Sequence, residues 1–276
     1  MTRIAVLQMQ SGIDPDANAS AIVASVEQAA GEGAAMLFTP EMSGLLDRNR
    51  ERAKDLIAEE GADPVLHSVR EAAARHGLWV ALGSLAIARV DGGWANRSLV
   101  ISPTGDIVGR YDKIHMFDVE LESGESWRES SAYTAGDSVQ VVEETPVGRL
   151  GLTVCYDLRF PTLFAELGRL SCDVIATPAA FTVPTGEAHW HLLQRARAVE
   201  ASAYVVAAAQ VGHHQDGRHT YGHSLVVDPW GEVLLDMGGD ESGLGFAEID
   251  PQRIVGVRSQ LPSLANRRPI LKSRST

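Results

Sequence analysis

The string Gly151-Leu152-Thr153-Val154-Cys155-Tyr156-Asp157-Leu158-Arg159-Phe160-Pro161 puts a thiol where an apolar run meets a polar turn, with a proline placed to open a helix. A cysteine at a strand end that faces a helix N-terminus favours the thiolate and could serve as a nucleophile. The plain alternative is a small buried cysteine used for packing. Cys172, just before a strand, fits that alternative; Cys155, crowded by Tyr156, Asp157 and Arg159, fits it less well. A thiol nucleophile also needs a base and a donor for the oxyanion. His115 and His189 are available as bases, but no spacing selects either. Lys113 follows a strand, and it is one of only three lysines (Lys54, Lys113, Lys272) among 24 basic residues. A compact ammonium fits a tight pocket where a guanidinium does not, although a surface lysine at a turn would look the same. Glu41 ends the apolar run Met36-Leu37-Phe38-Thr39-Pro40, as a strand-end cap or as a carboxylate placed for chemistry.

Other signatures fail. There is no G-x-S-x-G elbow and no P-loop, and Gly243-Leu244-Gly245-Phe246-Ala247-Glu248 lacks the last glycine of a dinucleotide fingerprint. His213, His214, His219 and His223 lie close in sequence without C-x-x-C, H-E-x-x-H or clustered carboxylates, so they read as a polar loop and no metal site is expected.

The elements that must position these residues follow from periodicity. Strands are predicted at 3–9, 35–39, 78–86, 96–102, 106–110, 149–155, 173–177, 203–211, 222–228, 232–236 and 243–249. Helices are predicted at 16–31, 50–59, 63–76, 161–170 and 187–202, the third with Asp63-Pro64 as cap and first residue and Gly77 as stop. The chain also echoes itself. Arg3-Ile4-Ala5-Val6 resembles Arg149-Leu150-Gly151-Leu152, Met36 to Pro40 resembles Val174 to Pro178, and Ser98 to Gly105 resembles Ser224 to Gly231. The offsets are 146, 138 and 126 residues, and both copies of the last motif carry a Pro-x-Gly hairpin turn. Where the first copy of Thr-Pro is followed by Glu41, the second is followed by Ala179. Two similar half-domains, each contributing a sheet, predict an α/β chain folded as a four-layer α-β-β-α sandwich.

Composition narrows the partners. The 276 residues carry a net charge of −12 and are 45% hydrophobic, which fits a globular protein and argues against nucleic acid and anionic membrane surfaces. Two cysteines make no disulfide framework, the N-terminal apolar run is too short for a signal peptide, and no run reaches a membrane-spanning length. A soluble, cytoplasmic protein with free thiols is expected.

Thr39-Pro40-Glu41, Tyr111-Asp112-Lys113-Ile114-His115 and Val154-Cys155-Tyr156-Asp157-Leu158-Arg159-Phe160-Pro161 resemble the Glu-Lys-Cys triad motifs of the nitrilase (carbon–nitrogen hydrolase) superfamily. Thr185 to Glu200, Tyr204 to Gln210 and Tyr221 to Gly231 are similar to the Nit amidase branch. The resemblance covers the whole chain and implies a single carbon–nitrogen hydrolase domain over 1–276, a homodimer, and amide hydrolysis through a cysteine thioester with no cofactor or metal. The activity it implies is that of a deaminated-glutathione amidase; ω-amidase comes second, then nitrilase or N-carbamoyl amidase, and last a non-catalytic binding protein on the same fold. It assigns Glu41 as base, Cys155 as nucleophile, and Lys113 with the Tyr156 N–H as oxyanion donors. Glu129 is the second glutamate, ahead of Glu120, Glu122 and Glu125. The small-molecule amide would be anionic, held by Arg159 in a pocket lined by Tyr156, Phe181 and Thr185. Arg159 could instead pair with Asp157 or a neighbouring helix. Met42-Ser43-Gly44 departs from the branch, which often carries a phenylalanine near this point, and that bears on pocket shape.

Overall fold

A computed structural model describes residues 1–120, 122, 124 and 126–269. The first half runs β1 (Thr2–Gln8), α1 (Pro15–Gly31), β2 (Met36–Phe38), α2 (Arg50–Ala53), α3 (Pro64–His76), β3 (Trp79–Ala88), β4 (Trp94–Ile101) and β5 (Ile107–Asp112). A hairpin of β6 (Asp118–Glu120) and β7 (Ser126–Arg128) leads to the second half. There follow β8 (Val141–Thr145), β9 (Gly148–Leu152), α4 (Pro161–Arg169), β10 (Val174–Ala176), α5 (Val183–Ala201) and β11 (Tyr204–Ala207). Then come the hairpin β12 (Val211–His213) and β13 (His219–Tyr221), β14 (Leu225–Val227), β15 (Val233–Asp236), β16 (Gly243–Ile249) and α6 (Pro251–Gln260).

The two large sheets have the same topology. One is ordered β16-β1-β2-β3-β4-β5 and the other β8-β9-β10-β11-β14-β15. In each, three parallel strands are followed by an antiparallel pair, and an antiparallel strand closes the other edge. The shared hairpin turn matches bond for bond. Gly105 N donates to Ser102 O and Gly231 N to Asp228 O, each at 2.9 Å, and Ser102 N to Asp106 O and Asp228 N to Glu232 O, also at 2.9 Å. Gly105 and Gly231 sit at φ +81° and +86°, where a Cβ is strained.

Strand alternation explains the layering. Ile4, Val6, Met36 and Phe38 point between the sheets, where they pack with Leu150, Leu152, Val174 and Ala176. Ala5, Leu7 and Leu37 face the other way, onto Ile22 and Val26 of α1 and Val69 and Ala73 of α3. Burial on both faces fits strands that are near-continuous apolar runs. Leu163, Phe164 and Leu167 of α4 and Trp190 and Ala198 of α5 cover the second sheet. The expected α-β-β-α sandwich is the observed fold. Cys172 lies in its core, where burial pushes the thiol up to about 12.

Some boundaries differ from expectation. The helix predicted over 50–59 closes after Ala53, and Glu59 instead bridges to Ala88 beside β3. The strand predicted over 203–211 stops at Ala207, and Val211 belongs to a separate hairpin. The strand predicted over 149–155 ends at Leu152, with Cys155–Arg159 forming a 3-10 turn. α6 was not anticipated: only Ile254 and Val257 of its ten residues are buried, too few for a clear apolar period, although Asp250-Pro251 is a legible helix start. No described helix is long and apolar enough to cross a membrane.

Candidate active site

Three strand ends and one turn converge. Beyond β2, Thr39 N donates to Ala81 O at 3.0 Å and Thr39 Oγ1 accepts from Gly83 N at 3.0 Å, which delivers Glu41 into the interior. Gly83 must be glycine: a Cβ there would stand 2.0 Å from Thr39 O. Lys113 directly follows β5, tied by its N–H to Asn96 O at 3.0 Å. Beyond β9, Val154 N donates to Asp157 Oδ2 at 2.9 Å and Cys155 N to Pro178 O at 2.8 Å. Cys155 then takes φ +47°, a strained region for a side-chain-bearing residue and one often found at functional sites. Glu129 opens the 3-10 turn Glu129–Ser131 after the β6–β7 hairpin.

These residues share one buried network. Lys113 Nζ, 1% exposed, donates to Glu41 Oε1 at 2.9 Å and to Glu129 Oε2 at 2.8 Å. Asn96 Nδ2 bridges the same carboxylates, donating to Glu41 Oε1 at 2.9 Å and Glu129 Oε1 at 3.0 Å. Ala180 N holds Glu41 Oε2 at 2.9 Å, and Phe117 N holds Glu129 Oε2 at 2.7 Å. The Cys155 thiol and the Glu41 carboxylate face each other on the wall of one cavity, close enough for the carboxylate charge to act on the thiol.

The protonation states follow from these contacts. Burial alone would raise the Glu41 pKa, but the Lys113 charge and bonds from Lys113, Cys155 and Asn96 bring it below the usual carboxylate range. Burial would lower Lys113, yet Glu129 and Glu41 carry it well above the usual lysine value. Burial, and then the Glu41 charge, push the Cys155 thiol well up, with Lys113 opposing. This corrects the expectation of a thiolate: helix-end stabilisation is outweighed by desolvation and an adjacent carboxylate. The resting arrangement is a neutral thiol beside a carboxylate that can take its proton on attack.

Neither histidine competes for that position. His115 Nδ1 is 2.6 Å from Asp157 Oδ1 and its ring stacks on Phe160, while His189 Nδ1 meets Arg159 at 3.2 Å. Asp157 also accepts from Tyr111 Oη at 2.7 Å, which locks the turn behind Cys155. It is therefore occupied, and Arg159 does not pair with it. The Arg159 guanidinium lies 5.2 Å from the Phe181 ring centroid and 5.9 Å from that of Tyr156.

Glu41, Lys113, Cys155, Glu129, Tyr156, Arg159, Phe181 and Thr185 all line one cavity of about 840 Å³. Glu120 lies instead on exposed β6, paired with Arg128 at 2.7 Å, and Glu122 is exposed in a turn; Glu125 lies outside the described residues. Met42 also lines the cavity, so the departure after Glu41 does alter its wall. Sequence reasoning missed Asn96, an isolated amide inside a strand, and the rim cations Arg48 and Arg218.

The four neighbouring histidines do not assemble. His214 is buried between Ser11 O at 2.8 Å and Thr220 Oγ1 at 2.7 Å, and His213 stacks on His219. His223 turns elsewhere, toward Asp236.

Residues 3–259 match the family described as carbon–nitrogen hydrolase. A deaminated glutathione amidase of Yersinia enterocolitica is 39% identical over 268 residues, covering 96% of this chain and 92% of that one. A probable hydrolase, nit2, of Schizosaccharomyces pombe is 37% identical over 267 residues, covering 96% and 97%. The crystal structure of the C. elegans NitFhit protein matches with a TM-score of 0.89 at 36% identity, covering 99% of this chain and 66% of that one. Fold, cavity and likeness agree, and the chain belongs to the carbon–nitrogen hydrolase family, as a hydrolase that acts on amides.

Proposed function

We propose that this chain is a deaminated-glutathione amidase in which Glu41, Lys113 and Cys155 form the catalytic triad and Glu129 positions Lys113. The observation that carries the reading is the buried Cys155–Glu41–Lys113 contact on the wall of a cavity rich in arginine. Glu41 takes the Cys155 proton as sulfur attacks the amide carbon. Lys113 Nζ and the Tyr156 N–H, which lies in the first turn of the 3-10 helix and needs no intrahelical acceptor, hold the oxyanion. Protonated Glu41 then gives its proton to the departing nitrogen, leaving a thioester. Glu41 next deprotonates a water that attacks the thioester carbon, which frees the acid and returns the thiol. The leaving group is ammonia from a primary amide, or cysteinylglycine from deaminated glutathione.

A substrate with carboxylates at both ends suits the cavity. Arg159, held over Phe181 and Tyr156, would bind the one on the acyl side, with Thr185 beside it. The −12 net charge of the chain repels such a substrate, so local arginines must draw it in. A single catalytic domain over 1–276, a homodimer and a cytoplasmic setting belong to the same proposal; light scattering on the purified chain tests the second. The deciding experiment measures amine release from deaminated glutathione, 2-oxoglutaramate, an aliphatic nitrile and an N-carbamoyl amino acid, with Cys155→Ala as control. Highest kcat/KM on deaminated glutathione supports the reading. Preference for 2-oxoglutaramate would replace it with ω-amidase, and turnover surviving in Cys155→Ala would sink the mechanism.

A further inference from the structure

The active-site network uses none of the groups on the outer flank of α5. There His191 Nε2 stands 2.9 Å from Asp236 Oδ2, and His223 Nδ1 stands 2.9 Å from Asp236 Oδ1. One donor atom from each residue lies within 4.8 Å of the others. The three come from separate elements: α5, the segment entering β14, and the end of β15. Sequence proximity grouped His223 with the wrong partners, since the residue that completes its cluster lies 32 positions upstream.

Several contacts hold the cluster in place. His223 sits at φ +53°. Its N–H donates to Gly238 O at 2.7 Å, its carbonyl accepts from Trp190 Nε1 at 2.8 Å, and its ring stacks on Tyr221 with centroids 4.4 Å apart. Gly238 N in turn donates to Asp236 Oδ1 at 3.0 Å. The side chains are 36%, 25% and 33% exposed for His191, His223 and Asp236, so solvent reaches the donors.

We propose that His191, His223 and Asp236 form a surface site for a divalent transition-metal ion of the zinc class, separate from the active-site cavity. Two imidazoles and one carboxylate suit Zn²⁺, Co²⁺, Ni²⁺ or Cu²⁺, with water completing the coordination. The ion would replace the two imidazole–carboxylate hydrogen bonds. It would clip α5 to the β14–β15 hairpin. Thr185, six positions before His191 on the same helix, lines the active-site cavity.

The test uses the whole chain carrying Cys155→Ala, which removes the cavity-lining thiol that could compete for metal. Chelator-treated protein is titrated with ZnCl₂ by calorimetry and with CoCl₂ by visible absorption. One equivalent should bind, Co²⁺ should give a d–d band, and saturating Zn²⁺ should raise Tm by about 5 °C. His191→Ala and Asp236→Asn should each weaken binding at least about tenfold while leaving the metal-free Tm within a few degrees. Absence of binding overturns the proposal. So does binding that survives both substitutions, or that is abolished by His213→Ala and His219→Ala instead.

Discussion

The two halves of this enzyme are alike in what folding requires and unlike where chemistry is placed. Strand order, direction and hairpin turns repeat, down to the hydrogen bonds of the Pro-x-Gly turns. At the echo offsets, the counterparts of Glu41, Lys113 and Cys155 are Ala179, Gly239 and Met9. Met9 and Ala179 are buried apolar residues, so the second potential site is filled with packing. Burying a charge costs several kcal/mol unless it is paired and hydrogen-bonded. The first half meets that cost once, with Lys113 between two glutamates and Asn96 across them. The second half supplies Cys155, the proposed nucleophile, and the scaffold: Ala180 N grips the Glu41 carboxylate, and Gln210 Nε2 donates to Glu41 O at 2.9 Å.

Substitutions at the positions where the two halves differ should break the chemistry, and those in the shared turns should not. Cys155→Ala should have the largest effect, lowering kcat about 10⁴-fold or more with Tm little changed, as read by amine release and calorimetry. Glu41→Gln should lower kcat about 10³-fold, because the neutral amide cannot take the thiol proton. Lys113→Met should cost about 10²- to 10³-fold in kcat and also about 3–5 kcal/mol of stability, since two buried carboxylates lose their cation; urea unfolding measures the second part. Lys113→Arg should not restore activity, the fork being too large for a site that is 1% exposed. The smallest effect belongs to the shared frame. Gly231→Ala should cost about 1 kcal/mol and leave kcat unchanged, because it strains a turn common to both halves and touches neither carboxylate.

The pH profile sharpens the same contrast. Glu41 is held below the usual carboxylate range, so kcat/KM should stay level through the pH at which an ordinary glutamate protonates and fall only beneath it. The linked stability has the same sign. It is fully present above the unfolded carboxylate pKa and is lost as pH falls through the lower folded value. Glu41→Gln should flatten that part of the stability profile in acid-unfolding experiments.

Much of the fold was legible because its signals are local. Alternating apolar runs, the Asp63-Pro64 cap and the paired Pro-x-Gly turns each depend on a few neighbouring residues. α6 and the β6–β7 and β12–β13 hairpins were not, since strands of three residues and a helix with two buried side chains leave almost no period to read. The proposed triad residues and Glu129 were legible through motifs that resemble those of the family. Asn96 was not: nothing about an asparagine in Trp94–Ile101 announces that it will face two carboxylates. The histidines were misgrouped for the same reason, because spacing along a loop says little about which rings meet.

By itself, the sequence determined the two-sheet α/β architecture, the internal repeat, and the residue types available for thiol chemistry. The tertiary structure decided their state and company. It set Glu41 against Cys155 and Lys113 between two glutamates, and so pushed the thiol pKa up. It left Arg159 free of Asp157, and it drew His191, His223 and Asp236 together from three elements. The physical reason is range. Backbone preference and apolar periodicity act over a few residues, whereas desolvation and charge pairing depend on which distant side chains share a buried space.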